Sequence, residues 1–244
     1  MNKFCLQEDY CKDNLQLNSL INHNFMQCKK CKLKCIRKGW YKNTQRYCCK
    51  SCNIYQQSNY IYKQRTEADT NMIITLNNEG MGISSMARVL GFAKSSIVRH
   101  IKTIAASIVS PFSHELNQDY EVDELQTFIQ NKKKICFLMY AINKLTGRVI
   151  DFKVGQRTKE NLSKVIDSVL FRSPHKIYSD GLIVYRSIIP AAIHRYSKHC
   201  INHIERKNLT LRTHLKRLNR KTICFSKNLL MLNACLKIYL WGKT

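Results

Sequence analysis

The sequence predicts a protein of mixed α/β class, in which two small modules precede a larger domain of strands and helices. Three observations support this prediction. Four cysteines form two closely spaced pairs near the start of the chain, helical periodicity dominates residues 67–104, and a strand pattern begins at residue 119. The period of the apolar residues separates the two kinds of element, because side chains repeat about every 3.6 residues along a helix and every two along a strand.

Composition and charge indicate a polyanionic partner. The chain has 244 residues, with 41 Lys and Arg against 16 Asp and Glu, and a formal net charge of +25. Such a charge repels itself unless a polyanion neutralises it, so nucleic acid is the first candidate and an anionic membrane the second. No apolar run reaches the ~18 residues that a membrane span requires, and no signal-peptide pattern opens the chain. We therefore expect no membrane association and a reducing cytosol.

Residues 1–22 carry no clear signal, and residues 23–60 carry the pattern of a zinc ribbon. Two C-x-x-C pairs are separated by seventeen residues, a spacing typical of four thiolates that bind one zinc ion. In a reducing compartment, clustered cysteines bind metal more often than they form disulfides. Cys35 and Cys48 are left over, and buried free cysteines are the alternative interpretation. The expected ligands are Cys28, Cys31, Cys49 and Cys52.

Residues 61–108 show the pattern of a helix-turn-helix DNA-binding domain. Helices are expected at 67–79, 85–90 and 96–104, with Gly91 at the turn between the last two. In such a domain the second helix of the motif enters the major groove. An ordinary three-helix bundle has the same apolar spacing and remains the alternative. The residues that we expect to contact DNA are Lys94, Ser95, Ser96, Arg99, His100 and Lys102.

Residues 109–118 form an expected linker, and residues 119–244 form the larger domain. Its strands are expected at 120–127, 135–142, 148–154, 176–179 and 191–196. Its helices are expected at 158–170, around Glu205 and at 228–240. Three antiparallel strands, a helix, another strand and further helices follow the order of a ribonuclease-H-like fold.

Three carboxylates fall where that fold would bring them together. Asp123 lies in the middle of the first strand, Asp180 follows the fourth, and Glu205 is the only acid between residues 195 and 244. Converging carboxylates suit two magnesium or manganese ions, which can activate a nucleophile and stabilise the leaving oxygen of a phosphodiester. A helix-surface ion pair is the alternative explanation for Glu205.

Two neighbouring acids compete with Asp123. Side chains alternate along a strand, so Glu121 shares the face of Asp123 and is the second choice for its role. Glu124 leaves the opposite face, and we expect it to lie outside the site. His203 and His214 lack a partner at ligand spacing, so we interpret them as phosphate contacts or surface residues.

Taken together, these residues resemble the transposases of the insertion-sequence-one family. The similarity extends from Gln27 to the end of the chain and includes the cysteine pairs. Each motif is weak alone, but the combination is highly specific. The other motifs that carry the resemblance lie at residues 80–88, 122–125, 179–181, 204–208, 211–212, 220–222 and 225–227.

The resemblance implies a transposase that binds the terminal inverted repeats of its own insertion element and performs metal-dependent DNA cleavage and strand transfer. It implies catalytic acids at Asp123, Asp180 and Glu205, with Arg212 as a basic residue two turns after the glutamate. It also implies two magnesium or manganese ions, one structural zinc, and double-stranded DNA at the element ends and at the target. We expect a homo-oligomer on DNA in the bacterial cytoplasm, associated with the nucleoid.

The chain also departs from the family pattern. Gln126 stands where a tryptophan is usual, and Leu182 and Ile183 replace the usual Trp-Pro. These changes leave the three acids intact. Two other interpretations stay open: a non-enzymatic zinc and helix-turn-helix DNA-binding regulator with a decayed catalytic domain, and a structure-selective nuclease without strand transfer.

Overall fold

The computed structural model describes residues 25–59, 66–110, 116–197 and 200–242. The chain divides into two compact units, Met1–Gln64 and Arg65–Thr244. The expected lead at 1–22 and the middle of the expected linker, 111–115, lie outside the described residues. Among the helices that are described, none is long and apolar enough to cross a membrane.

The first unit contains a three-stranded antiparallel sheet of β1 (Cys35–Tyr41), β2 (Thr44–Cys49) and β3 (Tyr55–Gln57). Lys42 and Asn43 form the two-residue turn between β1 and β2, with φ angles of 45° and 58°. Two consecutive left-handed residues match the twist of a tight hairpin. The hairpin aligns the start of β1 with the end of β2, which places Cys35 opposite Cys49.

Three helices open the second unit: α1 (Glu67–Asn78), α2 (Ile83–Leu90) and α3 (Lys94–Ser107). Thr66 and Asp69 form a capping box at the start of α1, which satisfies two backbone donors that the helix leaves free. Gly91 ends α2 with a φ of 67°, a conformation that glycine adopts without steric cost, and α3 begins after a short turn. The apolar faces of the three helices meet in a common cluster of buried residues.

A five-stranded sheet follows in the second unit. Its strands are β4 (Asp119–Ile129), β5 (Asn131–Asn143), β6 (Val149–Gly155), β7 (Lys176–Ser179) and β8 (His194–Tyr196). The spatial order is β6-β5-β4-β7-β8. The pairs among β4, β5 and β6 are antiparallel, whereas β7 pairs in parallel with both β4 and β8. The mixed α/β class predicted from the sequence is therefore confirmed.

Helices cover both faces of this sheet. The elements are α4 (Lys159–Leu170), α5 (Ile183–Arg186), α6 (Asn202–His214), a 3-10 turn (Lys216–Leu218) and α7 (Leu229–Trp241). Helix α4 packs against one face, where alternate residues of β4 such as Tyr120 and Val122 are buried. Helices α6 and α7 pack against the other face, around Leu125 and Tyr140. Both faces of β4 are therefore covered in its first half.

The stretch around Glu205 is not one continuous helix. Helix α6 ends at His214, because Leu215 leaves the helical region with φ −101° and ψ 95°. This break lets Leu215 and Leu218 both point into the core, where they are 0% and 1% exposed. Lys216 consequently lies beyond the end of α6, in the 3-10 turn.

The last helix, α7, joins the two halves of the second unit. Its Leu232 and Leu236 belong to the core of the sheet, whereas Cys235 and Ile238 belong to the cluster of α1, α2 and α3. The buried side chain of Asn77 in α1 also donates from Nδ2 to the carbonyl oxygen of Cys235, at 3.0 Å. The segment expected at 61–108 therefore completes its core with residues from the end of the chain.

Candidate metal centres and catalytic site

The four predicted cysteine ligands converge in the first unit. The Sγ atoms of Cys28 and Cys52 are 3.4 Å apart, and those of Cys31 and Cys49 are 3.3 Å apart. A tetrahedron with zinc–sulfur bonds of ~2.3 Å has edges of about 3.8 Å, close to these separations. The four thiols all lie within 4.8 Å of one another, so their arrangement fits a single zinc ion.

Each cysteine pair is shaped by a tight backbone turn. The N–H groups of Lys32 and Asn53 donate to the carbonyls of Cys28 and Cys49, both at 2.9 Å. The N–H groups of Cys31 and Lys30 lower the pKa of Cys28 to about 6. Hydrogen bonding from the N–H of Cys52 likewise lowers the pKa of Cys49. These backbone donors stabilise thiolate, the form that binds metal.

Two further cysteines among the described residues of this unit lie outside the group of four. Cys35 is buried beside Cys28 and Cys49, and burial raises its pKa. The thiol of Cys48 instead lies 3.8 Å from the side-chain oxygen of Asn53. Their positions agree with the sequence interpretation that both are left over.

The second candidate centre lies at the end of β7. Strands β4 and β7 pair in parallel, with Glu121 opposite Tyr178. Two residues further along, Asp123 and Asp180 therefore lie side by side. Carboxylate oxygens of Asp123, Asp180 and Glu124 all lie within 4.8 Å of one another.

The expectation that Glu124 lies outside the site is wrong. Its side chain leaves β4 on the other face, as alternation requires, and hydrogen bonds with Tyr185 of the α4-side cluster. Strand β7 ends at Ser179, however, so β4 has an open edge beside Glu124. The carboxylate of Glu124 nevertheless lies close to those of the two aspartates, which strand alternation alone does not reveal.

Glu205, on α6, lies near this carboxylate cluster. It is exposed and lines a cavity of about 360 Å³ with Asp123, Glu124 and Arg212. Its carboxylate is not part of the closest group of three, although its charge contributes to the raised pKa of Asp123. The structure thus brings Asp123 and Asp180 together and places Glu205 at a cavity that Asp123 also lines.

The electrostatics of this cluster suit a divalent cation. Burial raises the pKa of Asp123 to about 6, and the charges of Asp180 and Glu205 act in the same direction. Burial also raises the pKa of Glu124 to about 7. The Oε1 atom of Glu124 is buried and has no hydrogen-bond partner among the described residues. Hard oxygen donors that repel one another fit magnesium or manganese.

Two residues that the sequence analysis did not assign to the site hold Asp123 in place. Asn208 donates from Nδ2 to Oδ2 of Asp123 at 2.7 Å, and the hydroxyl of Tyr140 donates to Oδ1 of Asn208 at 2.8 Å. Asn208 follows Glu205 by three residues, so both lie on one side of α6. This helical spacing was the available signal for Asn208.

Two arginines give the cavity a cationic side. Arg212 follows Asn208 by one turn and lines the cavity, as does Arg220, which belongs to the motif at 220–222 but was not assigned to the site. The buried Nε of Arg212 has no partner among the described residues, and burial lowers the pKa of its guanidinium. A buried donor without an acceptor is costly, and a phosphate oxygen would satisfy it.

The residues expected to contact DNA lie on the solvent side of α3, opposite the buried Ile97 and Ile101. Four of them are exposed and two are half-buried, and the ring of His100 packs edge-on against Phe92 at 5.5 Å. The exposed four are Lys94, Ser95, Arg99 and Lys102. These positions are compatible with a DNA-facing surface.

A carboxylate cluster on a mixed sheet with a cationic flank defines a protein of phosphodiester chemistry, and comparison with known proteins identifies its family. The family model described as IS1 transposase matches residues 119–243, about half of the chain. The chain belongs to the IS1 transposase family, whose members cleave and transfer DNA.

Individual relatives agree with this assignment. The chain is 38% identical over 108 residues to the insertion element iso-IS1n protein InsB of Shigella dysenteriae, covering 44% of this chain and 82% of the relative. It is 34% identical over 111 residues to the IS1 protein InsB of Shigella sonnei, with coverages of 44% and 82%. For the IS1 2 protein InsB of Escherichia coli K12, identity is 34% over 111 residues and the coverages are 44% and 65%.

We predict that the purified protein carries about one equivalent of zinc. Cys31→Ser should lower the zinc content below about half an equivalent, because three thiolates hold the ion less tightly. Cys48→Ser removes a buried thiol outside the group and should retain the metal. Elemental analysis of the three proteins, prepared without chelator, measures this; equal zinc loss in both variants would contradict the assignment.

We also predict that Glu124→Gln stabilises the protein at pH 8 when no magnesium or manganese is added. A folded pKa of about 7, above the ordinary 4.5, means that stability from this group is present at low pH and lost as pH rises through 7. Removing the charge should therefore increase the free energy of unfolding by roughly 1–3 kcal/mol at pH 8 and by little at pH 5.

Urea unfolding at the two pH values measures this effect, with the exposed Glu160→Gln as the matched control. Added manganese should stabilise the wild type more than Glu124→Gln, because binding to the folded state raises its stability. If the variant is less stable than the wild type at pH 8, the charge of Glu124 does not destabilise the folded protein.

Proposed function

We propose that this chain is a DNA transposase that binds the terminal inverted repeats of its own insertion element and catalyses metal-dependent strand cleavage and transfer. The observation that carries the proposal is the side-by-side placement of Asp123 and Asp180, with Glu205 lining the same cavity as Asp123. Family membership supports the reaction class, and the geometry indicates which residues perform it.

We assign the catalytic domain to the ribonuclease-H-like class. Three antiparallel strands are followed by two that run parallel to the first, in the spatial order β6-β5-β4-β7-β8, with helices on both faces. In this arrangement the first strand is central, and its acid is flanked by the end of the fourth strand. The topology therefore supports the assignment made from the order of elements.

Asp123, Asp180 and Glu205 would hold two magnesium or manganese ions, and the position of Glu124 adds a fourth carboxylate. When bound, such ions activate a nucleophilic water or hydroxyl and stabilise the leaving oxygen of a phosphodiester. Asn208 orients the carboxylate of Asp123. Arg212, with its unpaired Nε, would bind a phosphate near the scissile bond.

The remaining parts would bind and align DNA. A zinc ribbon stabilised by the four cysteines and the exposed face of α3 provide candidate surfaces for the element ends, and the net charge of +25 favours duplex DNA. We further propose a homo-oligomer on DNA, in which copies of the chain engage the element ends and target, in the cytoplasm at the bacterial nucleoid.

The alternative of a non-enzymatic DNA-binding regulator is less well supported. A decayed catalytic domain has no reason to keep half-buried carboxylates together at the cost of their mutual repulsion. The arrangement of Asp123, Glu124 and Asp180 therefore favours the enzyme. A nuclease without strand transfer differs from a transposase in its products, which the cleavage assay below distinguishes.

For catalysis, we predict that Asp123→Asn, Asp180→Asn and Glu205→Gln each abolish cleavage and joining, because the amides keep the shape but lose the charge that holds a divalent cation. Arg212→Ala should lower the rate less, by ~100-fold, as expected for loss of one group that stabilises charge in the transition state. A labelled terminal-repeat oligonucleotide in magnesium or manganese reports cleavage and joining.

Binding to the same DNA in calcium should remain near wild type in these variants. Asp167→Asn, an exposed acid on α4, is the control and should keep full activity. Cleavage at a near wild-type rate by Glu205→Gln would show that Glu205 is an ordinary surface acid.

For DNA recognition, we predict that affinity falls steeply with salt and that Arg99→Ala weakens binding to element ends more than binding to random duplex. Lys159→Ala removes an exposed charge from α4 and should affect both DNAs slightly and equally. Titrations at several salt concentrations measure this. An equal loss for Arg99→Ala on both DNAs would assign Arg99 to the phosphate backbone, and no loss would argue against α3 as the recognition helix.

A further inference from the structure

A fully buried carboxylate outside the catalytic cluster connects β4 to α6. Glu121 is 0% exposed and lies two residues before Asp123 on the same strand face. Its Oε2 accepts a hydrogen bond from the backbone N–H of Ile204 at 2.8 Å, and its Oε1 lies 2.8 Å from Nδ1 of His203. The amino group of Lys144 lies further away, at 3.9 Å.

These contacts exclude Glu121 as a member of the metal centre in this arrangement. Both of its oxygens are engaged at the start of α6, and it belongs neither to the closest group of carboxylates nor to the residues that line the catalytic cavity. The second choice for the role of Asp123 was therefore wrong. Burying an acid is costly unless its charge is satisfied, so its contacts with α6 indicate what it does.

Helix α6 lacks a cap from its own sequence. Ile201 precedes the helix and provides no side-chain hydrogen bond, and the first N–H groups of any helix have no partner inside it. Ile204 is the third helical residue, whose N–H a capping side chain normally satisfies. The carboxylate of Glu121 takes this role from a neighbouring strand, and its negative charge also suits the positive end of the helix dipole.

The cap lies directly beside the catalytic face of the helix. Glu205 follows Ile204 in the chain, and one turn later Asn208 donates to Asp123. Strand β4 and helix α6 are thus tied together at two points, Glu121 with Ile204 and Asp123 with Asn208. Two ties along one helix fix both its rotation and its displacement along the strand, whereas the second tie alone would leave its first turn free to shift.

We propose that Glu121 is a positioning residue of the transposase, which holds the carboxylate of Glu205 at the cavity that Asp123 also lines by capping α6 from β4. This inference rests on the proposed metal centre. It makes a specific statement about Glu121: the residue acts on the metal through Glu205 and does not bind the metal itself.

The test is a double-mutant cycle on manganese affinity, measured by manganese electron paramagnetic resonance without DNA or turnover. Glu121→Ala should weaken manganese binding by ~10–100-fold in the wild-type background, as for other residues that orient a metal ligand. In the Glu205→Gln background the same change should have almost no further effect, because the two residues act through one interaction. The exposed Glu160→Ala should leave affinity unchanged in both backgrounds.

A metal-independent measurement follows the cap itself. Hydrogen exchange in the segment 201–208 should accelerate in Glu121→Ala and remain near wild type in Glu121→Gln, because the amide oxygen of glutamine can still accept from Ile204. If Glu121→Ala does not fold, Glu121→Asp enters the same cycle, since it keeps the charge but withdraws the carboxylate by one methylene.

The outcomes separate this inference from the proposed function. Equal manganese losses from Glu121→Ala in both backgrounds, or no loss in either, would overturn the positioning role while leaving the metal centre in place. A wild-type protein that binds no manganese would instead overturn the metal centre, and the role of Glu121 with it. Non-additive losses together with faster exchange in 201–208 would support the inference.

Discussion

The mutual repulsion of three carboxylates is the constraint on which the rest of the second unit depends. Asp123, Glu124 and Asp180 lie close together in a partly buried place, where burial and the neighbouring negative charges raise the pKa values of Asp123 and Glu124. Nothing in such a cluster favours folding without a cation. The surrounding framework must therefore hold it, and parallel pairing of β4 with β7 is the part of that framework that aligns the two aspartates.

The stabilising contacts come from elements on both faces of the sheet. Asn208 on α6 donates to Asp123, and Tyr185 from the α4 side hydrogen bonds with Glu124. Both partners are themselves anchored: Tyr140 bonds to Asn208, and Tyr185 is almost fully buried. Rigid support of this kind is what a site needs if its ligands are to remain in place before the metal binds.

Helix α7 extends this framework to the helices that precede the sheet. One of its sides packs on the sheet and another completes the cluster of α1, α2 and α3. Gly80, after α1, also approaches the end of α6 so closely that a Cβ there would clash with the carbonyl oxygen of His214. The expected recognition helix is consequently connected to the catalytic domain through packed elements, which suits a protein that must act at a fixed place on the DNA it recognises.

The features that could be predicted from the sequence are those that depend on near neighbours in the chain. The two cysteine pairs form their turns locally, Gly91 ends its helix with a left-handed backbone, and alternation along β4 places Glu121 and Asp123 on one face of the strand. The order of strands was also sufficient to place Asp123 and Asp180 together. In each case the signal is a spacing or a period that a short segment contains in full.

The positions of Glu124, Glu121 and Asn208 in or beside the site depend on contacts between segments that are far apart in the chain. Alternation assigns Glu124 to the face of β4 opposite Asp123. Strand β7 ends at Ser179, however, and the carboxylate of Glu124 lies within 4.8 Å of those of Asp123 and Asp180. By position on the strand, Glu121 is a candidate metal ligand. In the structure, however, both of its oxygens contact the start of α6, more than eighty residues later in the chain. The end of a strand and the partner that caps a helix depend on packing between distant segments. A side chain bonds to the nearest partner in space, whereas the sequence gives only the order of residues along the chain.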